Sequence, residues 1–144
     1  MNSICEDIKD MLEDEEVLNL TFATNLFIMQ SPAVPLDIVT IYDTSAGNPD
    51  MTLNGDTTIY NNSFQILIRN QEYDDAYALA QAIVDYLNGK ANEIWNNTYY
   101  MLISLSSGPS QLAGSGGVSI LQSGKRRGQV ELSINFRVKR QKSS

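Results

Sequence analysis

Gln129-Val130-Glu131-Leu132-Ser133-Ile134-Asn135-Phe136-Arg137-Val138-Lys139 decides the fold. Val130, Leu132, Ile134, Phe136 and Val138 alternate with polar or charged neighbours. A period of two is the period of a strand, with one face on a core and the other on water or a polar partner. Such a strand needs sheet neighbours and a covering layer, and the rest of the chain supplies candidates for both.

Upstream, Tyr99 to Leu105 is an apolar strand candidate, and Ser63 to Arg69 sets Phe64, Ile66 and Ile68 on one face. Asp37 to Asp43 is rich in β-branched residues and reads as a buried strand. Leu26 to Met29 is a short apolar run stopped by Ser31-Pro32. Asn54-Gly55, between Leu53 and Ile59, has the chemistry of a hairpin turn.

Two helices are expected. Ser3 and Glu6 match a capping box, and Ile4, Ile8, Met11 and Leu12 lie on one helical face, so a helix runs toward Glu16. Acids crowd its C-terminal end against the macrodipole. The second helix starts at Asp74 or Asp75 as cap. It carries the stripe Ala76, Tyr77, Ala80, Ile83, Val84 and Leu87 and stops at Asn88-Gly89. The order helix, three strands, helix, two strands predicts an α+β fold: a mainly antiparallel sheet with helices packed on one face. The expected organisation is one domain over 1–144, with a Gly/Ser-rich arm or loop at 106–128 and a basic C-terminal strand and tail. The apolar island Val118-Ser119-Ile120-Leu121 can form a hairpin arm or dock on a neighbour.

The 144 residues are 42% hydrophobic, enough to build a core without a disulfide or metal. Histidine is absent, which removes the commonest general base and metal ligand. Cys5 is the one cysteine, so no intrachain disulfide forms; it lies in a helix and reads as packing. No apolar run reaches the roughly 18 residues of a membrane span, and the acidic N-terminal stretch is the opposite of a signal peptide. The Asn-X-Ser/Thr triplets at Asn19, Asn61 and Asn96 are read as chance.

No motif in the sequence has the spacing of a catalytic or metal site. Asp43, Asp50 and Asp56 do not have calcium-loop spacing. Gly124-Lys125 is followed by Arg126, where a phosphate loop needs Ser or Thr. Glu72, Asp74 and Asp75 are explained as helix-start acids. Catalytic, metal-binding and cofactor-binding residues are therefore expected to be none.

The charge is uneven. Residues 1–16 hold seven acids against Lys9, while residues 124–144 hold seven bases against Glu131, in a chain of net charge −7. Such ends can attract copies head to tail, or can simply be solvated segments. The basic run Lys125-Arg126-Arg127 better suits an acidic protein partner than nucleic acid, because the chain as a whole is acidic.

Taken together, several segments resemble the tail terminator family of long-tailed bacteriophages, also labelled minor capsid or head–tail joining proteins. They are Leu26 to Pro35 with Val39 to Thr44; Phe64 to Arg69, Tyr73 and the helix Ala76 to Leu87; and a Gly-rich loop with Arg127 leading into Ile134 to Val138. The resemblance implies a virion structural protein and no enzyme. It implies a homohexameric ring that caps the tail tube, with the tail tube protein and the head–tail connector or neck protein as partners. DNA would pass through without specific binding, no membrane would be involved, and synthesis would be in the host cytoplasm. Candidate protein–protein interface residues are Lys125, Arg126, Arg127, Arg137, Lys139, Arg140 and Arg69. Another neck, head-completion or tail-tube protein, or a monomeric host-directed inhibitor, are the alternatives.

Overall fold

A computed structural model describes residues 2–45, 50–51, 58–111, 118–120, 126–128 and 130–142. The signature stretch forms the long strand β9, Val130–Lys142, which runs three residues beyond the expected end. β9 lies between two other long strands, β4 (Thr58–Asn70) and β6 (Thr98–Gln111), and is antiparallel to both. Outside β4 lies β2 (Ile38–Asp43), antiparallel to it, and then β1 (Leu26–Ile28), parallel to β2. Outside β6 lies β5 (Glu93–Trp95), and the two-residue strand β3 (Asp50–Met51) pairs with the start of β4. The strand order is β1-β2-β4-β9-β6-β5. A separate two-stranded ribbon joins β7 (Val118–Ile120) to β8 (Arg126–Gly128).

The expectation of an antiparallel sheet covered by helices holds in part. The β1–β2 pair makes the sheet mixed, and strand outweighs helix. Residues 29–37 link these parallel strands without a helix, within fewer residues than such a crossover usually needs. The hairpin expected at Asn54-Gly55 lies outside the described residues, although β3 and β4 pair antiparallel on either side of it.

Helix α1 spans Ile4–Asp14 and is capped by Ser3, whose Oγ accepts from the Glu6 backbone N–H at 3.3 Å. It stops at Asp14, short of Glu16, because its last turn holds acids and no base. The chain then makes a 3₁₀ turn, Glu16–Leu18, closed by Asn19 in the left-handed conformation. Helix α2 spans Tyr73–Leu87. Its N-cap is Glu72, without a side-chain cap bond; Asp74 and Asp75 sit in the first turn, where they complement the macrodipole. The end is as the sequence predicts: Asn88 donates back to the Val84 carbonyl, and Gly89 follows at φ +87°.

One buried cluster joins all of this. Ile4, Ile8, Met11 and Leu12 of α1 and Ala76, Ala80, Ile83 and Leu87 of α2 meet Phe64, Ile66 and Ile68 of β4 and Ile134, Phe136 and Val138 of β9. Tyr77, expected in that stripe, is instead exposed and stacks on Tyr73 at 6.0 Å between centroids. It stands one step round the helix from Ala76, and one turn from Tyr73.

Strand β6 was expected to end at Leu105 and to lead into a loop; it continues to Gln111 by slipping register against β9 at three places. The slip between Ser107 and Ser110 depends on Gly108, at φ +99°. A Cβ there would run into the Ser133 carbonyl oxygen and lie 3.1 Å from Ile134 Cα. Gly108→Ala is therefore expected to cost about 1–3 kcal/mol, read as a lower urea midpoint at unchanged slope. A wild-type midpoint would mean that this irregular ladder re-pairs without glycine.

Candidate functional site

The seven candidate interface residues divide into three groups. Lys125 lies outside the described residues, and Arg126 and Arg127 form part of strand β8. Arg137 and Lys139 are exposed on the face of the sheet opposite the buried cluster. They border an open groove of about 500 Å³ with Asn61, Ser63, Leu102 and Ser104. Register explains the grouping: Arg137 is opposite Ser63 and Ser104, and Lys139 is opposite Asn61 and Leu102. Among the described residues, neither cation has a carboxylate partner.

Arg69 and Arg140 are placed elsewhere. Both are buried inside the subunit. The Arg69 guanidinium donates to the backbone carbonyls of Leu36 (3.0 Å), Pro35 (2.9 Å) and Pro32. It thereby gathers the carbonyls of the β1–β2 connector onto β4, which is how a connector so short and so rich in proline is held.

Arg140 anchors a polar cluster beneath α1. Its Nε donates to Asn62 Oδ1 at 2.7 Å, and its Nη1 donates to the Asn2 carbonyl at 3.0 Å. Nη1 also lies 3.4 Å from Asp7 Oδ2, and Asp7 is fully buried. The Tyr100 hydroxyl donates to the same carboxylate oxygen, and Asn96 Nδ2 donates to Asp7 Oδ1 at 2.8 Å. Burial, reinforced by the hydrogen bond to Asp7, pushes the Tyr100 phenol far above its ordinary range, so it stays a donor. The acidic N-terminal and basic C-terminal segments thus meet within one subunit, at Asp7 and Arg140.

Asp7 was not singled out from the sequence, yet a signal was there. It stands three residues after Ile4 and four before Met11, on the apolar face of α1. Arg140 continues the even-numbered inward series of β9 beyond Val138. In the sequence the Asn96-Asn97 pair stands out only as part of a glycosylation triplet. It turns the tight β5–β6 hairpin, with both residues at positive φ.

Cys5 is buried, and burial with nearby carboxylates pushes its thiol up to about 11, so it stays protonated near neutral pH. Among the described residues, no group of three or more acids or cysteines is placed to hold a metal.

The family model described as "Bacteriophage tail terminator protein" matches residues 2–142. The chain belongs to the bacteriophage tail terminator family. Among solved structures, it is similar to a chain from the virion of a native gene transfer agent particle. The TM-score is 0.61 at 14% identity, over 96% of this chain and 95% of that one, a likeness of fold. No curated protein matches the chain. Membership supports a structural protein of the phage virion, associated with the tail and with other particle proteins. In this tail terminator family member, both Arg137 and Lys139 and the buried Asp7–Arg140 pair fall inside the matched region.

Proposed function

We propose that this protein caps the finished tail tube as a homohexameric ring and joins it to the head–tail connector at the neck. It would be made in the host cytoplasm and act without catalysis. The observation that carries this reading is the family match, which covers residues 2–142 and so includes both helices and the whole central sheet.

In this reading the two helices cover one face of the sheet and the other face, with Arg137 and Lys139, remains free for contact. A subunit with different chemistry on its two sides suits a heterologous contact that closes into a ring. Six copies would carry a strongly negative total charge, which opposes specific capture of the DNA passing through.

Negative-stain electron microscopy with light scattering on the same sample tests the ring. Closed rings of six support it. Long stacked tubes would favour a tube protein, and a monomer that stays monomeric on added tail tubes would reject the capping role. Replacing Lys125, Arg126 and Arg127 together by Ser should weaken assembly by about tenfold or more while leaving the thermal midpoint unchanged. Unaltered assembly in that variant would remove the basic run from the interface.

A further inference from the structure

On the helical side, the turn Glu16–Leu18 and the second half of α2 enclose an open groove of about 430 Å³. Val17, Leu18, Ala82 and Tyr86 line it together with Glu15 and Asp85. Val17 is 83% exposed, the most exposed of the large apolar side chains described. An apolar side chain left in water among carboxylates calls for a cover that is itself partly apolar and cationic.

The charge around the groove points the same way. Asp14, Glu16 and Asp85 have no cation partner among the described residues. Neither α1 nor α2 has a base in its last turn, so the negative ends of both helices add to the field. Lys90 is close, over the Tyr86 ring at 4.2 Å, but it is already paired with Glu93 at 3.2 Å.

The β7–β8 ribbon has the complementary composition. Its register sets Ile120 opposite Arg126 and Val118 opposite Gly128, so Val118, Ile120 and Arg126 share one face, with Ser119 and Arg127 on the other. Among the described residues, the ribbon has no ladder to the seven-stranded sheet. We infer that the β7–β8 ribbon of one copy docks in the Val17–Tyr86 groove of the next, its Val118/Ile120 face on the apolar floor and Arg126 toward the acidic rim. This rests on the ring reading and names the contact that closes the ring.

Disulfide trapping tests it, with the buried native thiol of Cys5 left in place. Val17→Cys and Ile120→Cys proteins of different tag size are mixed and oxidised at a concentration where the wild type forms rings. The expected product is a mixed disulfide dimer, and the chain carrying both substitutions should give a ladder of cross-linked oligomers. A preferred cross-link from Ile120→Cys to Ser104→Cys would place the ribbon on the opposite face of the sheet and overturn the inference. So would a cross-link confined within single chains, or no disulfide from wild-type-like rings. Rings without the cross-link would defeat only the docking; a wild type that never forms rings, alone or on tail tubes, would defeat the ring reading as well. In a second readout, Glu15→Arg with Asp85→Arg should weaken assembly by about tenfold, and adding Arg126→Glu should recover a measurable part of that loss. Failure of this rescue in a folded protein would likewise overturn the inference.

Discussion

Replacing Arg140 by leucine is expected to lower the thermal midpoint by about 10–15 °C, corresponding to a loss of about 3–5 kcal/mol. The substitution removes the charged partner of a carboxylate that has no access to water. Asp7 would keep the Tyr100 hydroxyl and the Asn96 amide, which stabilise a negative charge but do not neutralise it. Asn62 Oδ1 and the Asn2 carbonyl would each lose a donor. The cost of the ion pair lies in stranding one member, so Asp7→Leu combined with Arg140→Leu should be milder than Arg140→Leu alone. Calorimetry on the two variants checks both statements. A single variant as stable as the wild type would mean that stranding the Asp7 carboxylate carries no cost, and a double variant as stable as the wild type would mean that the buried pair contributes nothing net. This cluster ties α1 to β4, β6 and β9 at once, so early loss of α1 signals by hydrogen exchange should accompany the loss of stability.

Phe136→Ala should cost a similar amount, about 3–5 kcal/mol, by leaving a cavity at the centre of the sheet. Phe136 stands directly opposite Phe64 in the β4–β9 ladder, with ring centroids 5.0 Å apart and planes 14° from parallel. Neither ring is accessible to solvent, and both belong to the cluster shared by the two helices. Phe136→Leu retains most of the volume and should lose far less. Urea unfolding of the two variants separates the outcomes: equal midpoints would show that the site collapses around the missing ring. Assembly of Phe136→Leu should match the wild type, because the side chain faces the interior and not a neighbour.

The central strands and both helices were legible because their periodicities are local. Val130 to Val138 alternates over nine residues, and Phe64, Ile66 and Ile68 repeat the same period. The short edge strands were harder. Glu93–Trp95 has no periodicity to read, and it pairs only because two left-handed asparagines turn it back onto β6. The register slips that carry β6 to Gln111 depend on where β9 lies, which the composition of 106–111 does not record.

The interface candidates show the same division. Charge alone groups exposed cations, Arg137 and Lys139, with buried ones, Arg69 and Arg140. Parity along β9 already separates Arg137 and Lys139, which share the polar face, from Arg140, which falls on the inward face. Parity would have misplaced Arg69, since Ile68 takes the inward face beside it. Only the folded connector, with the carbonyls of Pro32, Pro35 and Leu36 turned toward it, makes that position buried.

By itself the sequence determined the period of each long element, the side of it that is apolar, the cap of α1 and the stop of α2, because these depend on residues within a turn or two of one another. The tertiary structure alone decided that β1 runs parallel to β2, that Asp7 and Arg140 neutralise each other, and that Val17 is left exposed above an acidic groove. Each depends on segments distant in the chain, and a charge or an apolar side chain acquires its energy from what surrounds it in space.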